Sequence, residues 1–285
     1  MIISGKELAA RLKAEMAEQV ATFPEKYGRV PHLVVILVGN DPGSQTYVRN
    51  KEKACDVVGF KHTTFRMPEE TTEKDVLDKI VELNEDELVD GILVQLPLPR
   101  HFSETKVIEA ISREKDVDGF HPLNTAALWQ KRPNNSCVVP CTPMGIIKLL
   151  EAAGYEIAGK RAVVLGRSQI VGLPISKLLL DRNATVTICH SRTGNLSEIT
   201  RQADILVAAI GKAKFVTGDM VKEGAAVIDV GMDLDENGKL CGDVDFASVE
   251  PKAAVITPVP GGVGPMTICC LMSNTIQCFL ARVNA

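Results

Sequence analysis

The sequence predicts an α/β protein of two lobes, each with a mostly parallel sheet. Three observations carry this. Short β-branched runs that end in glycine alternate with segments whose apolar residues recur at helical spacing. That rhythm pauses in the Asn- and Pro-rich stretch 133–140 and restarts at Thr142. The chain of 285 residues is about twice the length of a common domain and long enough to bury two cores without staples.

Residues 6–20 place Leu8, Ala9, Leu12, Met16 and Val20 on one helical face. The run 33–38, closed by Gly39, reads as a buried strand. A helix over 44–58 follows, opened near Asn40-Asp41-Pro42-Gly43 and closed by Gly59. A strand over 61–67 and a helix over 72–84, capped by Thr71 or Thr72, come next. Gly91-Ile-Leu-Val-Gln95 is a third strand that runs into prolines, and 105–111 is a short helix. In the second half, a helix over 144–153 has Pro143 in its first turn. Strands at 161–165, 185–189, 205–209 and 226–230 then alternate with helices at 173–182 and 196–202. The last segment, 266–283, reads as one apolar helix that returns to the first lobe. The lobes are accordingly set at 1–141 with 265–285, and at 142–264.

Composition narrows the partners. Basic residues number 32 and acidic residues 36, a net charge of −4 with a pI near 5.8. A general nucleic-acid binder carries a basic surplus, so that class is excluded. The N-terminus has charges every few residues and reads as neither a signal sequence nor a presequence. No uninterrupted apolar run reaches the ~18 residues of a membrane span. These features place the chain in the cytoplasm, with no membrane partner. The eight cysteines read as free thiols, mostly buried. Cys137 and Cys141 have half-zinc spacing, but no second pair with zinc spacing follows, and no metal is assigned.

Several stretches carry chemistry. Strand 161–165 ends in Gly166-Arg167-Ser168, and Gly172 opens the next helix. A glycine turn at a helix N-terminus sets main-chain N–H groups against phosphate. The spacing departs from G-x-G-x-x-G, because Ser168 stands where the second glycine would be. The next strand ends in His190-Ser191-Arg192 without the acid that grips the ribose hydroxyls of NAD. Arg167, Ser191 and Arg192 instead suit a 2′-phosphate, so NADP is favoured over NAD. Tyr47 and Lys51 share a helix face at i, i+4. A solvated surface pair has the same pattern; in a cleft, the lysine would be tuned for acid–base work. Gln95 is a lone amide at the C-terminal end of an apolar strand, where α/β sheets gather ligands. Asp116 and Asp118 share a polar loop and read as turn or cap acids, or as a weak metal site. The segment Thr257-Pro-Val-Pro-Gly261-Gly262-Val-Gly-Pro265 reads either as a rigid turn approaching a ligand or as a plain connector.

Taken in order, these motifs resemble the bifunctional methylenetetrahydrofolate dehydrogenase/cyclohydrolase family. The carriers are Tyr47-Val-Arg-Asn-Lys51, Gly91-Ile-Leu-Val-Gln95-Leu-Pro-Leu-Pro99, Lys115-Asp-Val-Asp118-Gly119, Pro140-Cys-Thr-Pro-Met144, Gly166-Arg-Ser-Gln-Ile-Val-Gly172 and Pro258-Val-Pro-Gly-Gly-Val-Gly-Pro-Met-Thr267. The resemblance spans essentially the whole chain. It implies a C-terminal Rossmann-type NADP-binding domain, an N-terminal folate-binding lobe and an active site in the cleft between them. It implies oxidation of 5,10-methylenetetrahydrofolate with NADP+, then hydrolysis to 10-formyltetrahydrofolate. Lys51 would manage the protons of hydrolysis, Gln95 would set its state, Tyr47 would orient the folate and Asp118 would grip the pterin. Val94, Leu96, Pro260, Gly261 and Gly262 would line the folate pocket. Gly166, Arg167, Ser168, Ser191 and Met232 would hold the cofactor. A homodimer is also implied.

Three other readings compete. Tyr-x3-Lys occurs in short-chain dehydrogenases, but there the glycine motif precedes the pair. A folate or nucleotide sensor would be expected to lack Lys51 or Gln95. A monofunctional NADP-dependent dehydrogenase remains the alternative to the bifunctional enzyme.

Overall fold

The computed structural model describes residues 1–130 and 137–284. It divides into two compact units: an N-terminal unit of 11–139 with 268–285, and a C-terminal unit of 1–10 with 140–267. Within the stretch expected to join the lobes, 133–136 lie outside the described residues.

In the N-terminal unit, helices α1 (Gly5–Ala21, from residue 11 on) and α2 (Phe23–Tyr27) lead into β1 (His32–Val38). Helix α3 (Pro42–Val58), β2 (Lys61–Met67), α4 (Glu73–Glu85), β3 (Gly91–Val94), α5 (Glu104–Ala110) and α6 (Pro122–Gln130) follow. The strands form a parallel sheet in the order β2-β1-β3. All seven residues of β1 are buried, which is why it reads as an unbroken apolar run. One face packs Val34, Ile36 and Val94 against Val76, Ile80 and Leu83 of α4. Asp41 opens α3 by accepting from the Ser44 N–H at 2.7 Å, so Pro42 falls in the first turn, where no N–H is needed.

The C-terminal unit contains α7 (Cys141–Ala152), β4 (Arg161–Leu165), α8 (Gly172–Asp181), β5 (Thr185–Cys189), α9 (Leu196–Thr200), β6 (Ile205–Ala208) and β7 (Ala226–Asp229). A small hairpin, β8 (Asp233–Leu234) and β9 (Leu240–Cys241), then leads to α10 (Phe246–Val249), β10 (Val255–Ile256) and the first residues of α11 (Val263–Val283). The five-stranded sheet runs β10-β7-β6-β4-β5, all parallel. Counted from β4, this is the doubly wound order 2-1-3-4-5, whose topological switch falls between β4 and β6. Both ends of that switch are buried, with Leu165 and Ala208 in one core cluster.

The structure refines the sequence reading at the two ends of the chain. Residues 1–10, assigned to the first lobe, belong to the C-terminal unit. The reason is main-chain pairing at a sheet edge: Ile3 N–H donates to Ile256 O at 2.9 Å and Ile256 N–H to Met1 O at 3.0 Å. The last helix begins at Val263, inside the Gly/Pro segment, because Pro265 is tolerated in a first turn. Among the described residues this helix is also long and apolar enough to cross a membrane by length and composition. A search for unbroken apolar runs passes over it because Ser273, Asn274, Thr275 and Gln277 interrupt it. Some 61% of its apolar window is buried inside the protein, the placement of a core helix. Seven of the eight cysteines are buried and Cys137 is half-buried.

Candidate active site

The N-terminal unit brings Lys51 and Gln95 together. Val48, Lys51, Cys55 and Val58 lie on the buried face of α3, and Lys51 is only 7% exposed. Its ammonium donates to Gln95 Oε1 at 2.9 Å. Gln95 follows the last residue of β3 and continues the ladder through its own N–H, which donates to Ile36 O at 2.8 Å. The Gln95 amide nitrogen donates to Leu96 O at 2.6 Å, so the amide oxygen is turned to the lysine. The Leu96–Pro97 bond that follows is cis. A lysine whose ammonium is buried beside a fixed amide is no solvated surface residue, and the surface-pair reading falls.

Tyr47 lies one turn before Lys51 on α3 and is half-buried. Burial raises the pKa of its phenol, which stays neutral across the physiological range. Val94 is buried, whereas Leu96 is partly open. The loop of Asp118 is joined to the same sheet by a parallel bridge between Ile92 and Asp116. Asp116 accepts from the N–H groups of Gly119 at 3.0 Å, Phe120 at 3.3 Å and His121 at 2.8 Å, and from Asn124 Nδ2 at 2.8 Å. Of the readings left open for Asp116, the structure therefore selects the cap at the start of α6. Asp118 is half-buried beyond this turn.

The C-terminal unit supplies a different kind of site, built from main chain. Gly166 has φ +112°, and a Cβ there would stand 2.2 Å from Ala209 O across the sheet switch. A Cβ on Gly172 would stand 2.3 Å from Gly166 O. These glycines supply the tight turn and the close helix–strand packing of a dinucleotide fingerprint despite the altered spacing. Ser168 replaces the middle glycine and closes the turn into α8. Its hydroxyl accepts from the Val171 and Gly172 N–H groups at 3.2 and 3.3 Å. Because β4 pairs with β5, the Gly166 turn and the 190–193 turn leave neighbouring strand ends. Arg167, Ser191 and Arg192 are all exposed there. Small main-chain space with exposed guanidinium and hydroxyl donors suits a dinucleotide that carries an extra phosphate.

Gly261 and Gly262 also belong to this unit, after a cis Val259–Pro260 bond. The Lys6 N–H at the start of α1 donates to Gly261 O at 2.9 Å. A Cβ on Gly262 would meet Pro258 O at 2.5 Å. The segment is therefore a close-packed turn, which removes the plain-connector reading. Pro260 is exposed, and Met232 is 47% exposed near Gly264. The sequence reading missed α6, which holds Asp116, and the anchoring of Lys115. Pro122, suited to a first helical position, was the available signal for α6.

Fold and site define a class: a two-unit α/β protein with a dinucleotide-type turn in one unit and a buried lysine–amide pair in the other. Residues 3–118 match the family model for the tetrahydrofolate dehydrogenase/cyclohydrolase catalytic domain. Residues 140–283 match the NAD(P)-binding domain of the same family. The bifunctional protein FolD of Streptococcus pneumoniae is 57% identical over 283 residues, covering 99% of this chain and 98% of that one. The structure of the bifunctional FolD enzyme of Campylobacter jejuni superposes with a TM-score of 0.95 at 46% identity, covering 99% of each chain. FolD of Trypanosoma brucei, complexed with NADP cofactor and inhibitor, gives a TM-score of 0.95 at 41% identity, covering 100% of this chain and 99% of that one. The chain belongs to the tetrahydrofolate dehydrogenase/cyclohydrolase family.

Proposed function

We propose that the protein oxidises 5,10-methylenetetrahydrofolate to the 5,10-methenyl cation with NADP+, then hydrolyses that cation to 10-formyltetrahydrofolate. The observation that carries the bifunctional reading is the hydrogen bond of buried Lys51 to half-buried Gln95 at 2.9 Å. When bound, NADP+ accepts the hydride, so the protein's contribution to oxidation is alignment and exclusion of water. Gly166, Gly172, Arg167, Ser168, Ser191 and Met232 would hold it, the guanidinium of Arg167 facing the 2′-phosphate.

Hydrolysis makes a different demand. Water must lose a proton as it adds to the cationic carbon, and as the adduct opens its hydroxyl proton must pass to a ring nitrogen, so one proton is released overall. Lys51 is the group for both transfers, and the Gln95 oxygen keeps its amine directed. Tyr47, a neutral aromatic, packs on the folate and orients it. Asp118 accepts from the N–H donors of the pterin. Val94 and Leu96 line the folate site. In this reading 1–141 with 265–285 serves folate and 142–264 serves NADP, with residues 1–10 attached to the latter's sheet. The protein acts as a cytoplasmic homodimer, a part of the reading supported by family resemblance.

The test is a product analysis with 5,10-methylenetetrahydrofolate and NADP+, then NAD+. Production of NADPH with 10-formyl formation faster than the enzyme-free control is expected. Accumulation of the methenyl product at the uncatalysed rate of hydrolysis would reduce the protein to a monofunctional dehydrogenase.

A further inference from the structure

Lys115 is the least expected charged group in the N-terminal unit. It is 2% exposed and its ammonium meets no carboxylate within ion-pair distance among the described residues. Instead it donates to three main-chain carbonyls at the end of α4: Leu83 O at 2.8 Å, Asn84 O at 2.8 Å and Asp86 O at 2.6 Å. These are carbonyls that a helix leaves without intrahelical partners, at the negative end of its dipole. The next residue, Asp116, is 3% exposed and does the converse. Its carboxylate takes the N–H groups of 119–121 and the Asn124 amide at the positive end of α6.

Two adjacent residues of opposite charge thus fasten one loop to opposite poles of two helices. Val117 completes the fastening. It is fully buried, its Cγ1 lies 2.5 Å from where a Cβ on Gly91 would stand, and its carbonyl accepts from Asn274 Nδ2 at 2.9 Å. Asp118 is the first residue beyond this anchorage, and Gly119, at φ +74°, turns the chain immediately after it.

We propose that Lys115 and Asp116 are positioning residues that hold the Asp118 carboxylate in place for the pterin and thereby set folate affinity. This rests on the reading of Asp118 as the pterin acceptor. A carboxylate on a free loop would lose entropy on binding; one held at three successive residues is already ordered. A neutral lysine would have two N–H donors for three carbonyls and no charge for the helix end. The Lys115 pKa is lowered to about 8, chiefly by burial and next by the Arg282 cation, with a smaller push from Arg29, while Asp86 and Asp90 oppose them. The anchorage should therefore weaken in mildly alkaline solution.

The experiment is a double-mutant cycle on initial rates of NADPH formation with Lys115→Met and Asp118→Asn, reading folate KM, NADP+ KM and kcat separately. Lys115→Met is expected to raise folate KM about tenfold, equivalent to about 1.4 kcal/mol, with kcat and NADP+ KM little changed. In the Asp118→Asn background the same substitution should change folate KM by less than about twofold, since it acts through a carboxylate already gone. Lys115→Arg, which keeps the charge, should restore most of the affinity. In the wild type, folate KM should rise with a midpoint near pH 8, and Lys115→Arg should flatten that rise. Equal factors in both backgrounds, or an identical pH dependence in wild type and Lys115→Arg, would overturn the proposal. If Lys115→Met does not fold, the comparison of wild type with Lys115→Arg across pH decides alone. Should Asp118→Asn leave folate KM unchanged, the reading of Asp118 fails, whatever Lys115 does.

Discussion

The strand ends at Gln95 and at Gly166 both close parallel strands, yet they are built in opposite ways. At Gln95 the groups proposed to work are side chains that fix each other: Lys51 is 7% exposed and bonded to the amide oxygen of half-buried Gln95. At Gly166 the working element is the absence of side chain. The space a Cβ would occupy is taken by Ala209 O, and the polar side chains around the turn are exposed. The difference matches what the proposed function asks of each region. A group that moves protons must be held and partly shielded from water. A reagent that brings its own chemistry needs only shape, N–H donors and complementary charge.

The comparison breaks most visibly at Lys51. Lys51→Met removes the amine and should slow formation of 10-formyltetrahydrofolate by about 10²–10⁴-fold, the range of a lost general acid–base group. NADPH formation should persist, so a coupled absorbance assay would show methenyl product accumulating. At the other strand end, Arg167→Ala should raise NADP+ KM about tenfold, a charge-assisted hydrogen bond being worth about 1.5–3 kcal/mol. NAD+, which lacks the 2′-phosphate, should be indifferent; equal effects on both cofactors would remove Arg167 from phosphate recognition. Ser168→Ala should be smallest: loss of its hydrogen bonds from the Val171 and Gly172 N–H groups costs about 1 kcal/mol, read as a fall of a few degrees in Tm.

Much of this contrast was legible before any coordinates. β1, β4, β6 and β7 are short apolar runs buried almost throughout and β5 is β-branched, so β1 and β4–β7 stand where the text placed them to within a residue or two. Tyr47 and Lys51 share a helix face by spacing alone. What spacing could not supply was the partner: Gln95 lies 44 residues from Lys51 and meets it because β3 pairs with β1, after which α3 begins. The same limit hid Lys115. In a polar loop its text reads as a solvated side chain, and its burial depends on where the last carbonyls of α4 fall. The attachment of Met1–Ile3 to β10 was hidden because a two-residue edge strand has no periodicity to read. The early start of α11 was masked by the glycines and prolines that surround it.

In the proposed function the two strand ends divide the labour. The decisive experiment crosses the variants with the activities: NADPH formation and 10-formyl formation, each measured for wild type, Lys51→Met and Arg167→Ala at saturating folate and varied NADP+. A double dissociation is expected. Lys51→Met should lose hydrolysis alone, and Arg167→Ala should need more NADP+ but hydrolyse supplied methenyltetrahydrofolate at the wild-type rate. If Lys51→Met lost both activities in equal proportion, or Arg167→Ala lost hydrolysis of supplied methenyltetrahydrofolate, the division would be contradicted.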